Sequence, residues 1–576
     1  MLEIDLKPLH NLLTGLPSKG RTALLPVLHS AQEIYGYLPE PVVKELARYL
    51  DIPFAEVWGV IKFYTLFHSE PVGKTILHVC NDPVCAHAGS DGMLKMMSQR
   101  VDQSLEGQPV SITIERAACL GLCEVAPALF VQGAPVEHAD RQVWEDLMAG
   151  RSRNPPSIIG GDLRLLTAHC GGDFPTSLEE YRKSGGYRSL EKVLQISPQA
   201  VIEEIKASGL VGRGGAAFPT GLKWESAAKA LGERKYVVCN ADEAEPGAFK
   251  DRIMMEGDPH RILEGLIIAA YAIGANRGYI YIRGEYLHAF YIMQQATEDA
   301  RQAGLLGENI LGSPFSFDVE LRRGAGAYVC GEETAQFESI EGKRGLPRLK
   351  PPFPTTSGLF GMPTVINNVE TLCNVPLILQ QGASNYRKIG TEKSPGPKLF
   401  CVSGDVRRPG LYEVPFGVTM RHLVCELAGG LRPDRALQVI LVGGAAGAFA
   451  TPDQLDTPLS FEHLREAGLP LGSGVITVFD DTRHLIDILL RLARFFAQES
   501  CGKCYPCQIG TQRQHEIMQR INDQGAQPED IERLQLIAQV MTDTSLCGLG
   551  QTASSALLSA LKHFPHLFQP AMVAHA

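Results

Sequence analysis

Four cysteines near the C-terminus have the type and spacing of iron–sulfur cluster ligands. Cys501, Cys504 and Cys507 follow a C-x2-C-x2-C pattern, and Cys547 belongs to a distant segment. Three thiolates at this spacing can reach three irons on one face of a cubane, and the fourth thiolate completes the ligands of a 4Fe-4S cluster. A redox cluster implies an electron donor and an electron acceptor.

A second set of cysteines lies near the N-terminus. Cys80 and Cys85 form a C-x4-C pair, Cys119 and Cys123 form a C-x3-C pair, and each pair follows a predicted strand. Loops at strand ends place backbone amides near a cluster, and two pairs suit the two irons of a 2Fe-2S cluster. A zinc site with four cysteines is the alternative at both places, but the N-terminal pairs are spaced more widely than the C-x2-C pairs usual for zinc. The six other cysteines are unclustered and are interpreted as small core residues: Cys170, Cys239, Cys330, Cys373, Cys401 and Cys425.

The densest glycine loop of the chain spans residues 209–224. Glycines let the backbone approach a ligand closely and expose N–H groups to an anion. Arg213 and Lys223 add positive charge, which suits a phosphate. The loop is not a G-x-G-x-x-G dinucleotide fingerprint, and a plain turn is the alternative for the loop taken alone.

Three polar segments accompany the glycine loop, at 240–247, 328–334 and 367–371. The first follows a predicted strand directly, and the others follow Gly324-Ala325-Gly326 and Pro363-Thr364. Carboxylates and amides at strand ends can hydrogen-bond the ribityl hydroxyls and ring edges of a flavin. Solvated loop charges and helix caps are the alternative, but the combination favours bound flavin mononucleotide (FMN).

The totals exclude several classes of protein. The 576 residues carry a net charge of −10, so no basic footprint predicts a nucleic-acid partner. The N-terminus lacks the regions of a signal peptide, and the longest apolar stretch, 266–273, is far shorter than the ~20 residues of a membrane span. We predict a cytoplasmic protein without membrane insertion. Because the cytoplasm is reducing, its fourteen cysteines favour metal ligation over disulfide formation.

The spacing of apolar residues changes along the chain and indicates which secondary-structure elements position these motifs. Apolar residues at three- and four-residue steps predict helices, and short alternating runs predict strands. The fold class is therefore multidomain, with α/β parts and α parts. The predicted parts, in chain order, are a helical bundle (1–72), a small α/β unit (73–150), a linker (151–195), a larger α/β unit with a partly parallel sheet (196–394), a strand-rich insert (395–478) and a helical block (482–576).

The chain resembles a known family over more than four fifths of its length. Residues from about 196 to 565 resemble the flavin subunit of respiratory complex I, because they contain in order GRGGAAFPTGLKW, CNADEAEPGAFKDR, YVCGEETA, KPPFP, INNVET and ESCGKCYPC. Residues 20–150 resemble its thioredoxin-like 2Fe-2S partner. The two units in one chain, with no ferredoxin-like extension after Cys547, most resemble the flavin-binding diaphorase subunit of cytosolic NAD-reducing nickel–iron hydrogenases.

The resemblance implies a fold and a role for each motif. It implies a thioredoxin-like domain at 73–150, an FMN/NAD-binding domain at 196–394, a ubiquitin-like β-grasp domain at 395–478 and a C-terminal helical bundle carrying the 4Fe-4S cluster. Glu332 and Glu333 would lie beside the flavin and the nicotinamide ribose as candidate catalytic residues, and Phe218, Glu245 and Phe353 would line the NAD pocket. The predicted FMN ligands are Gly212, Arg213, Lys223, Asn240, Asp242, Gly331, Asn367, Asn368 and Thr371, and the matching segments add Gly214, Gly215, Glu243 and Tyr328 to the cofactor-binding set.

The activity that the resemblance implies is reversible hydride transfer between NAD(H) and FMN. Single electrons would leave through the 4Fe-4S cluster to an iron–sulfur subunit and a hydrogenase module on other chains, and the 2Fe-2S cluster would serve as a store or a second route. Glu333 near the adenosine ribose would repel a 2′-phosphate and favour NAD over NADP. The alternatives are the flavin subunit of an NAD-dependent formate dehydrogenase, a complex I subunit, and a flavin-less iron–sulfur relay or scaffold, against which the intact glycine loop argues.

Overall fold

The computed structural model describes residues 4–15, 20–104, 112–131, 134–136 and 157–569. These residues form N-terminal helices, a small sheet, a parallel sheet covered by helices, a larger mixed sheet and C-terminal helices. Within those ranges, every helix is too short or too polar to cross a lipid bilayer.

Four helices at the N-terminus pack around leucine and valine side chains. They are α1 (Lys7–Thr14), α2 (Leu24–Tyr35), α3 (Glu40–Leu50) and α4 (Phe54–Phe63). Helix α3 has a proline and Glu40 in its first turn and ends at Asp51, which is in the left-handed conformation. Its buried residues, from Val42 to Leu50, recur at three- and four-residue steps and so form one face. These helices agree with the helices predicted from apolar residues at three- and four-residue steps.

The small sheet carries the first set of cysteines. Its strands are β1 (Thr75–Cys80), β2 (Ile112–Ala117), β3 (Leu129–Val131) and β4 (Ala134–Val136), and its helices are α5 (Pro83–His87) and α6 (Ser90–Ser104). The strand order is β2-β1-β3-β4, with β1 parallel to β2 and antiparallel to β3. The strand predicted at 110–115 starts outside the described residues and is observed as β2. Of the turn-rich stretch at 150–157, only Ser157 is described.

The segment 157–195, which the sequence predicts to be a linker, is ordered. It contains β5 (Ile159–Gly160), α7 (Leu178–Lys183) and α8 (Arg188–Val193). The buried carboxylate of Glu413 accepts hydrogen bonds from the backbone N–H groups of Leu165, Leu166 and Thr167 at 3.0, 2.8 and 3.0 Å. Glu413 lies far from this segment along the chain. The local composition of 157–195 therefore does not reveal that the segment is ordered.

A parallel four-stranded sheet forms the centre of the molecule. Its strands are β6 (Tyr236–Ala241), β7 (Arg277–Ile282), β8 (Asp318–Arg323) and β9 (Thr364–Asn368). The order is β8-β7-β6-β9, so the chain moves outward from β6 to β8 and then returns to the other side of β6. The carboxyl ends of β6 and β9 therefore flank the crevice where ligands bind in open α/β sheets. The partly parallel sheet predicted for this region is confirmed.

Helices cover both faces of the parallel sheet. Val237 and Cys239 of β6 pack into one core with residues of α12, while Tyr236 and Val238 pack into another core with the N-terminal helices. This burial on both faces explains the continuous apolar runs of the strands. The helices are α9 (Pro198–Ser208), α10 (Thr220–Lys229), α11 (Lys250–Gly257), α12 (Pro259–Ile273), α13 (Leu287–Gln302), α14 (Glu333–Ile340), α15 (Val369–Gln381) and α16 (Ala383–Tyr386).

A six-stranded mixed sheet occupies the predicted strand-rich insert. Its elements are β10 (Pro397–Gly404), β11 (Gly410–Pro415), β12 (Leu437–Val442), β13 (Ala448–Ala450), β14 (Val475–Asp480) and α17 (Phe461–Glu466). The order is β13-β12-β14-β10-β11-β5, with β10 parallel to β14 and β5 at one edge. The sheet therefore recruits a strand from the segment predicted to be a linker.

The C-terminal helices position the second set of cysteines. They are α18 (Leu485–Glu499), α19 (Tyr505–Gln524), α20 (Asp530–Thr544), α21 (Gly548–Thr552) and α22 (Ser555–His563). Cys504 precedes α19, Cys507 lies in its first turn and Cys547 precedes α21. The partial positive charge of helix N-termini favours anionic thiolates at these positions.

Candidate functional site

A large cavity opens at the carboxyl ends of β6 and β9. Its volume is about 1070 Å³, which is enough for a ligand larger than a typical small-molecule drug. The glycine loop at 214–217, the polar segments after β6 and around 328–332, and loops of the mixed sheet form its walls, and α21 and α22 close one side. The cavity therefore lies where the sheet topology predicts a ligand.

The glycine loop is fixed by hydrogen bonds within the protein. The N–H of Gly212 donates to the carbonyl of Phe218 at 2.9 Å, and the N–H of Arg213 donates to Oγ1 of Thr371 at 2.9 Å. A Cβ atom at Gly214 would lie 3.1 Å from Cβ of Asn368, and Gly215 has a φ of +120°. Both positions therefore favour glycine, and the loop presents bare backbone to the cavity.

Two asparagines join the ends of the neighbouring strands. Asn240 of β6 is paired in register with Asn368 of β9. Asn240 donates to the carbonyl of Gly331 at 2.9 Å, and Asn368 donates to Oδ2 of Asp251 at 2.6 Å. Both amides line the cavity while these bonds hold its walls in place.

Asp242 offers the cavity an unpaired polar atom. Its Oδ2 is buried and has no hydrogen-bond partner in the structure. Burial raises the pKa of this carboxyl well above its usual range. A polar ring edge such as that of a flavin can hydrogen-bond this group, and the bare glycine backbone nearby suits a phosphate. The donor set therefore fits FMN.

The acidic residues that follow Asp242 are bonded to the protein. Glu243 accepts from the N–H groups of Asp251 and Arg252 at distances of 3.0 and 3.1 Å, and burial raises its pKa to about 8. Glu245 accepts from Tyr328 Oη and from the N–H of Ala446, the latter at 3.0 Å. Burial also raises the pKa of Glu245, so this wall carries less negative charge than its sequence suggests.

Two lysines pair with the candidate catalytic glutamates. Lys350 Nζ lies 2.9 Å from Glu332 and 2.7 Å from Glu333, and Lys223 Nζ lies 3.3 Å from Glu333. Burial opposes ionisation of Glu333, but Lys223 and Lys350 outweigh it and lower its pKa. Glu332 also caps α14, accepting from the N–H of Thr334 at 2.9 Å. The formal charges of the two glutamates and two lysines cancel.

The predicted cofactor residues fall into two groups. Arg213 is buried and donates to Tyr386 Oη and the Pro395 carbonyl at 3.1 and 2.9 Å, over the ring of Phe416. Phe218 and Phe353 are more than half exposed. The predicted residues that line the cavity are Gly214, Gly215, Asn240, Asp242, Glu243, Glu245, Tyr328, Gly331, Glu332 and Asn368. The predicted residues outside its lining are Gly212, Arg213, Phe218, Lys223, Glu333, Phe353, Asn367 and Thr371.

No sequence motif points to some of the residues that line the cavity. Arg465 near the end of α17 and Lys562 and His563 at the end of α22 line the cavity. They place basic side chains in a cavity whose other charged groups are mainly carboxylates. The glycine-rich stretches at 443–447 and 468–474 were the available sign that the mixed sheet approaches a ligand.

The first set of cysteines is brought together and enclosed. Cys80, Cys85, Cys119 and Cys123 line one small cavity and are all buried, and the Sγ atoms of Cys119 and Cys123 are 3.3 Å apart. The N–H of Gly121 donates to Sγ of Cys119 at 3.4 Å. Four convergent thiols with an amide donor fit a 2Fe-2S cluster. This group is called the front cysteine site below.

The second set of cysteines also converges. Cys501, Cys504, Cys507 and Cys547 line one small cavity. Burial raises the pKa of Cys507 to about 12 and that of Cys547 to about 11. Thiolates at these positions therefore need a bound positive charge, and the irons of a 4Fe-4S cluster provide it. This group is called the rear cysteine site.

Both cysteine sites share a wall with the central cavity. Val329 and Leu549 line the central cavity and the rear site. Glu245 lines the central cavity, while the next two residues, Pro246 and Gly247, line the front site. The arrangement therefore places a site for an organic cofactor between two cluster sites.

Comparison with known proteins agrees with this arrangement. Three family models match: the Nuo51 FMN-binding domain over 205–377, the thioredoxin-like [2Fe-2S] ferredoxin over 9–151, and the NADH-ubiquinone oxidoreductase-F iron-sulfur binding region over 487–571. The NAD-reducing hydrogenase HoxS subunit alpha of Cupriavidus necator is 35% identical over 96% of this chain and 93% of its own length. The chain belongs to the family of NAD-reducing hydrogenase alpha subunits and the related flavin subunits of complex I.

Members of this family match over different lengths of the chain. An NADH-quinone oxidoreductase subunit of Rhizobium meliloti is 49% identical over 67% of this chain and 92% of its own length. A crystal structure of an NAD+-reducing [NiFe]-hydrogenase in the air-oxidized state contains a chain that is 34% identical, with a TM-score of 0.84, covering 96% of this chain and 94% of that one. The cofactors of this multidomain α/β protein are FMN, NAD, a 2Fe-2S cluster and a 4Fe-4S cluster.

Proposed function

We propose that the chain is the NADH-oxidising diaphorase subunit of an NAD-reducing hydrogenase. The observation that carries this proposal is the position of the central cavity, which shares walls with both cysteine sites. The Cupriavidus necator hydrogenase subunit and the chain of the solved hydrogenase each cover 96% of this chain, whereas the Rhizobium meliloti quinone oxidoreductase subunit covers 67% of it. An NADH-oxidising centre with cluster sites on two sides suits a subunit that passes electrons to other chains.

The residues of the cavity bind and orient the cofactor. When bound, FMN would supply the chemistry that links the two-electron hydride of NADH to one-electron carriers. The bare backbone at Gly214 and Gly215 would hold its phosphate, and the buried carboxyl of Asp242 would hydrogen-bond its ring. Asn240 and Asn368 fix the two strand ends, so the cavity is rigid before the ligand binds.

The glutamates and lysines at 223, 332, 333 and 350 are proposed to form the nucleotide side of the site. Phe218 and Phe353 are exposed aromatic rings close in sequence to Lys223 and Lys350 and are proposed to contact NAD(H). Glu333 is proposed to disfavour a 2′-phosphate, but its two lysine partners reduce that repulsion. Arg213, Asn367 and Thr371 are proposed to act through the shape of the glycine loop, because their side chains bond to protein.

The finer domain assignments are also proposals. A helical bundle (1–72), a thioredoxin-like domain (73–150), an FMN/NAD-binding domain (196–394) and a helical 4Fe-4S domain (482–576) agree with the observed elements. The mixed sheet at 395–478 is proposed to be a β-grasp domain, supported by its central parallel pair, β10 and β14, and the helix between its strands. The linker predicted at 151–195 contains β5, α7 and α8 in its described part, 157–195.

The proposed partners are an iron–sulfur electron-transfer subunit and a hydrogenase module on other chains. A cytoplasmic location is proposed from cysteine usage: all fourteen cysteines fall in the described ranges, and each is a free thiol. Purification of the native complex followed by metal analysis separates the candidates. Nickel supports the hydrogenase assignment, whereas molybdenum or tungsten would replace it with formate dehydrogenase, and a chain that holds iron but no flavin would indicate a flavin-less relay.

Flavin retention tests the cavity itself. Asp242→Leu should lower the affinity for FMN at least about tenfold, because a buried polar group that can bond the ring is lost, while Asp242→Asn keeps a polar side chain of the same shape and should retain FMN. Asp173→Asn, at an exposed position outside the cavity, is the matched control. Bound FMN is measured by absorbance against protein after gel filtration. Full flavin content in Asp242→Leu would contradict the proposed site.

A further inference from the structure

Two histidines and a glutamate form a cluster outside the cysteine sites and the central cavity. His78 lies on β1, and Glu115 is directly opposite it on β2 in the parallel pair. Leu77 and Val79 of β1 pack into the small core on one face of this sheet. Because side chains alternate along a strand, His78 and Glu115 project together from the other face.

The third member comes from the N-terminal helices. His68 lies in the loop after α4, and its backbone is fixed on both sides. Its N–H donates to Oε1 of Gln32 at 2.7 Å, and its carbonyl accepts from the N–H of Leu38 at 2.7 Å. The helices therefore hold the imidazole of His68 over the sheet, so the cluster joins two parts of the molecule.

The distances within the cluster are those of ligands around an ion. One ligand atom from each residue lies within 4.8 Å of the others. His68 Nδ1 is 3.5 Å and His78 Nε2 is 3.3 Å from the two oxygens of Glu115. Charge-assisted hydrogen bonds are shorter, about 2.7–2.9 Å, as in the pair of His169 and Asp258 at 2.9 Å. Ligand atoms around tetrahedral zinc are roughly 3.4 Å apart.

The cluster also contains an unsatisfied atom. Nε2 of His78 is buried and makes no hydrogen bond, although buried ring nitrogens normally have a partner. The side chains of His68, His78 and Glu115 are 10%, 18% and 30% exposed, so one side remains open to solvent.

We propose that His68, His78 and Glu115 bind one divalent transition-metal ion of the zinc class. Two imidazole nitrogens and one carboxylate oxygen are a ligand set that zinc accepts, and the solvent-facing side supplies the remaining position. The bound ion connects the loop after α4 to strands β1 and β2. Metal binding therefore stabilises the packing of the N-terminal helices on the thioredoxin-like sheet.

Zinc binding to the tag-free holoprotein tests the site. The chain with its flavin and iron is dialysed against zinc sulfate, and bound zinc is counted by mass spectrometry. We expect one zinc per wild-type chain and at least about a hundredfold weaker binding in His78→Gln. His10→Gln is the matched control, because His10 pairs with a single glutamate and is exposed, and it should bind zinc as the wild type does.

X-ray absorption at the zinc edge identifies the ligands. Nitrogen and oxygen at about 2.0–2.1 Å support the site, whereas sulfur at about 2.3 Å would place zinc on cysteines and overturn it. Equal zinc content in the wild type, His78→Gln and His10→Gln, whether one ion or none, would also overturn it. If His78→Gln loses iron or flavin, Glu115→Gln and His68→Gln replace it in the same comparison. Zinc should also raise the midpoint of thermal unfolding of the wild type and of His10→Gln and leave that of His78→Gln unchanged.

Discussion

The two cysteine sites differ in their access to solvent. All four cysteines of the front site are at most 5% exposed, and Arg252 and Arg283 of the flavin-binding part donate to the carbonyls of Gly121 and Cys119. In the rear site, Cys501, Cys504 and Cys547 are partly exposed, and the neighbouring Tyr505 is 80% exposed. A partner chain can approach the rear site closely, so the comparison favours the rear site as the exit and the front site as an internal store.

Removal of one ligand from each site gives the largest expected contrast. Cys504→Ala should lower NADH-driven electron delivery to the other chains of the native complex at least about a hundredfold, because loss of a direct cluster ligand exceeds the effect of its surroundings. Cys119→Ala should change the same rate by only a few fold. Stopped-flow absorbance follows both steps, and flavin reduction by NADH is the internal control.

The iron content of each variant shows whether the difference in electron delivery between Cys504→Ala and Cys119→Ala comes from the loss of a single cluster. Each variant should lose the iron of one site and keep that of the other. Loss of electron delivery in Cys119→Ala, with the rear iron intact, would reverse the assignment of store and exit.

The enclosure of the front site depends on a buried ion pair. Arg252 pairs with Glu124, which is 4% exposed, and burial raises the pKa of Glu124 although Arg252 opposes the shift. Arg252→Met should destabilise the docked thioredoxin-like part by about 2 kcal/mol, because Glu124 is left buried without its partner. Chemical denaturation followed by absorbance of the front cluster measures this. Arg252→Met with Glu124→Gln should recover most of the loss; no recovery would mean that the pair does not join the two parts.

Nucleotide choice tests the charge of Glu333, which follows the cavity residue Glu332 in the chain. Glu333→Gln should raise the ratio of NADPH to NADH turnover by about tenfold, or ~1.4 kcal/mol, because Lys223 and Lys350 become free to pair with a 2′-phosphate. Glu338→Gln, whose carboxylate pairs with Arg348 and Lys343 instead, is the control. An unchanged ratio would remove Glu333 from the nucleotide site.

The smallest effect concerns the N-terminal helices. His29 lies 3.0 Å from the carbonyl of Gly324, and burial lowers its pKa to about 3. Its folded pKa is below its unfolded value of 6.5, so its contribution is fully present above that value and is lost progressively as the pH falls toward the folded pKa. Stability should fall by about 1 kcal/mol between about pH 7.5 and 5.5 from this residue. His29→Gln should flatten the slope measured by denaturant titration, and an identical slope would exclude His29 as its source.

The sequence predicted those parts of the site that are local in the chain. Both cysteine sets converge because their members lie at strand ends or helix starts, which spacing reveals. The glycine loop and the strand ends at Asn240 and Asn368 meet because parallel strands share one carboxyl edge. These features follow from rules that act over a few residues, together with the family resemblance.

Other parts depend on contacts between distant segments. Arg213 has the composition of a phosphate ligand, but Tyr386 and Pro395 hold its guanidinium. Glu413 orders the segment predicted to be a linker, and Lys562 reaches the cavity from the C-terminal helices. The cluster of His68, His78 and Glu115 requires the register of β1 with β2. Spacing within the sequence carries no information on such pairings.

The arginine contacts over the front site also bear on how the protein matures. Arg252 and Arg283 bond the loop at 119–123, and within the described residues the four thiols are at most 5% exposed. We therefore expect iron delivery at that location to precede closure of the molecule, and repair there to require its reopening. The rear thiols, by contrast, remain reachable in the finished chain, so a cell short of iron could refill one location and would have to synthesise the other anew.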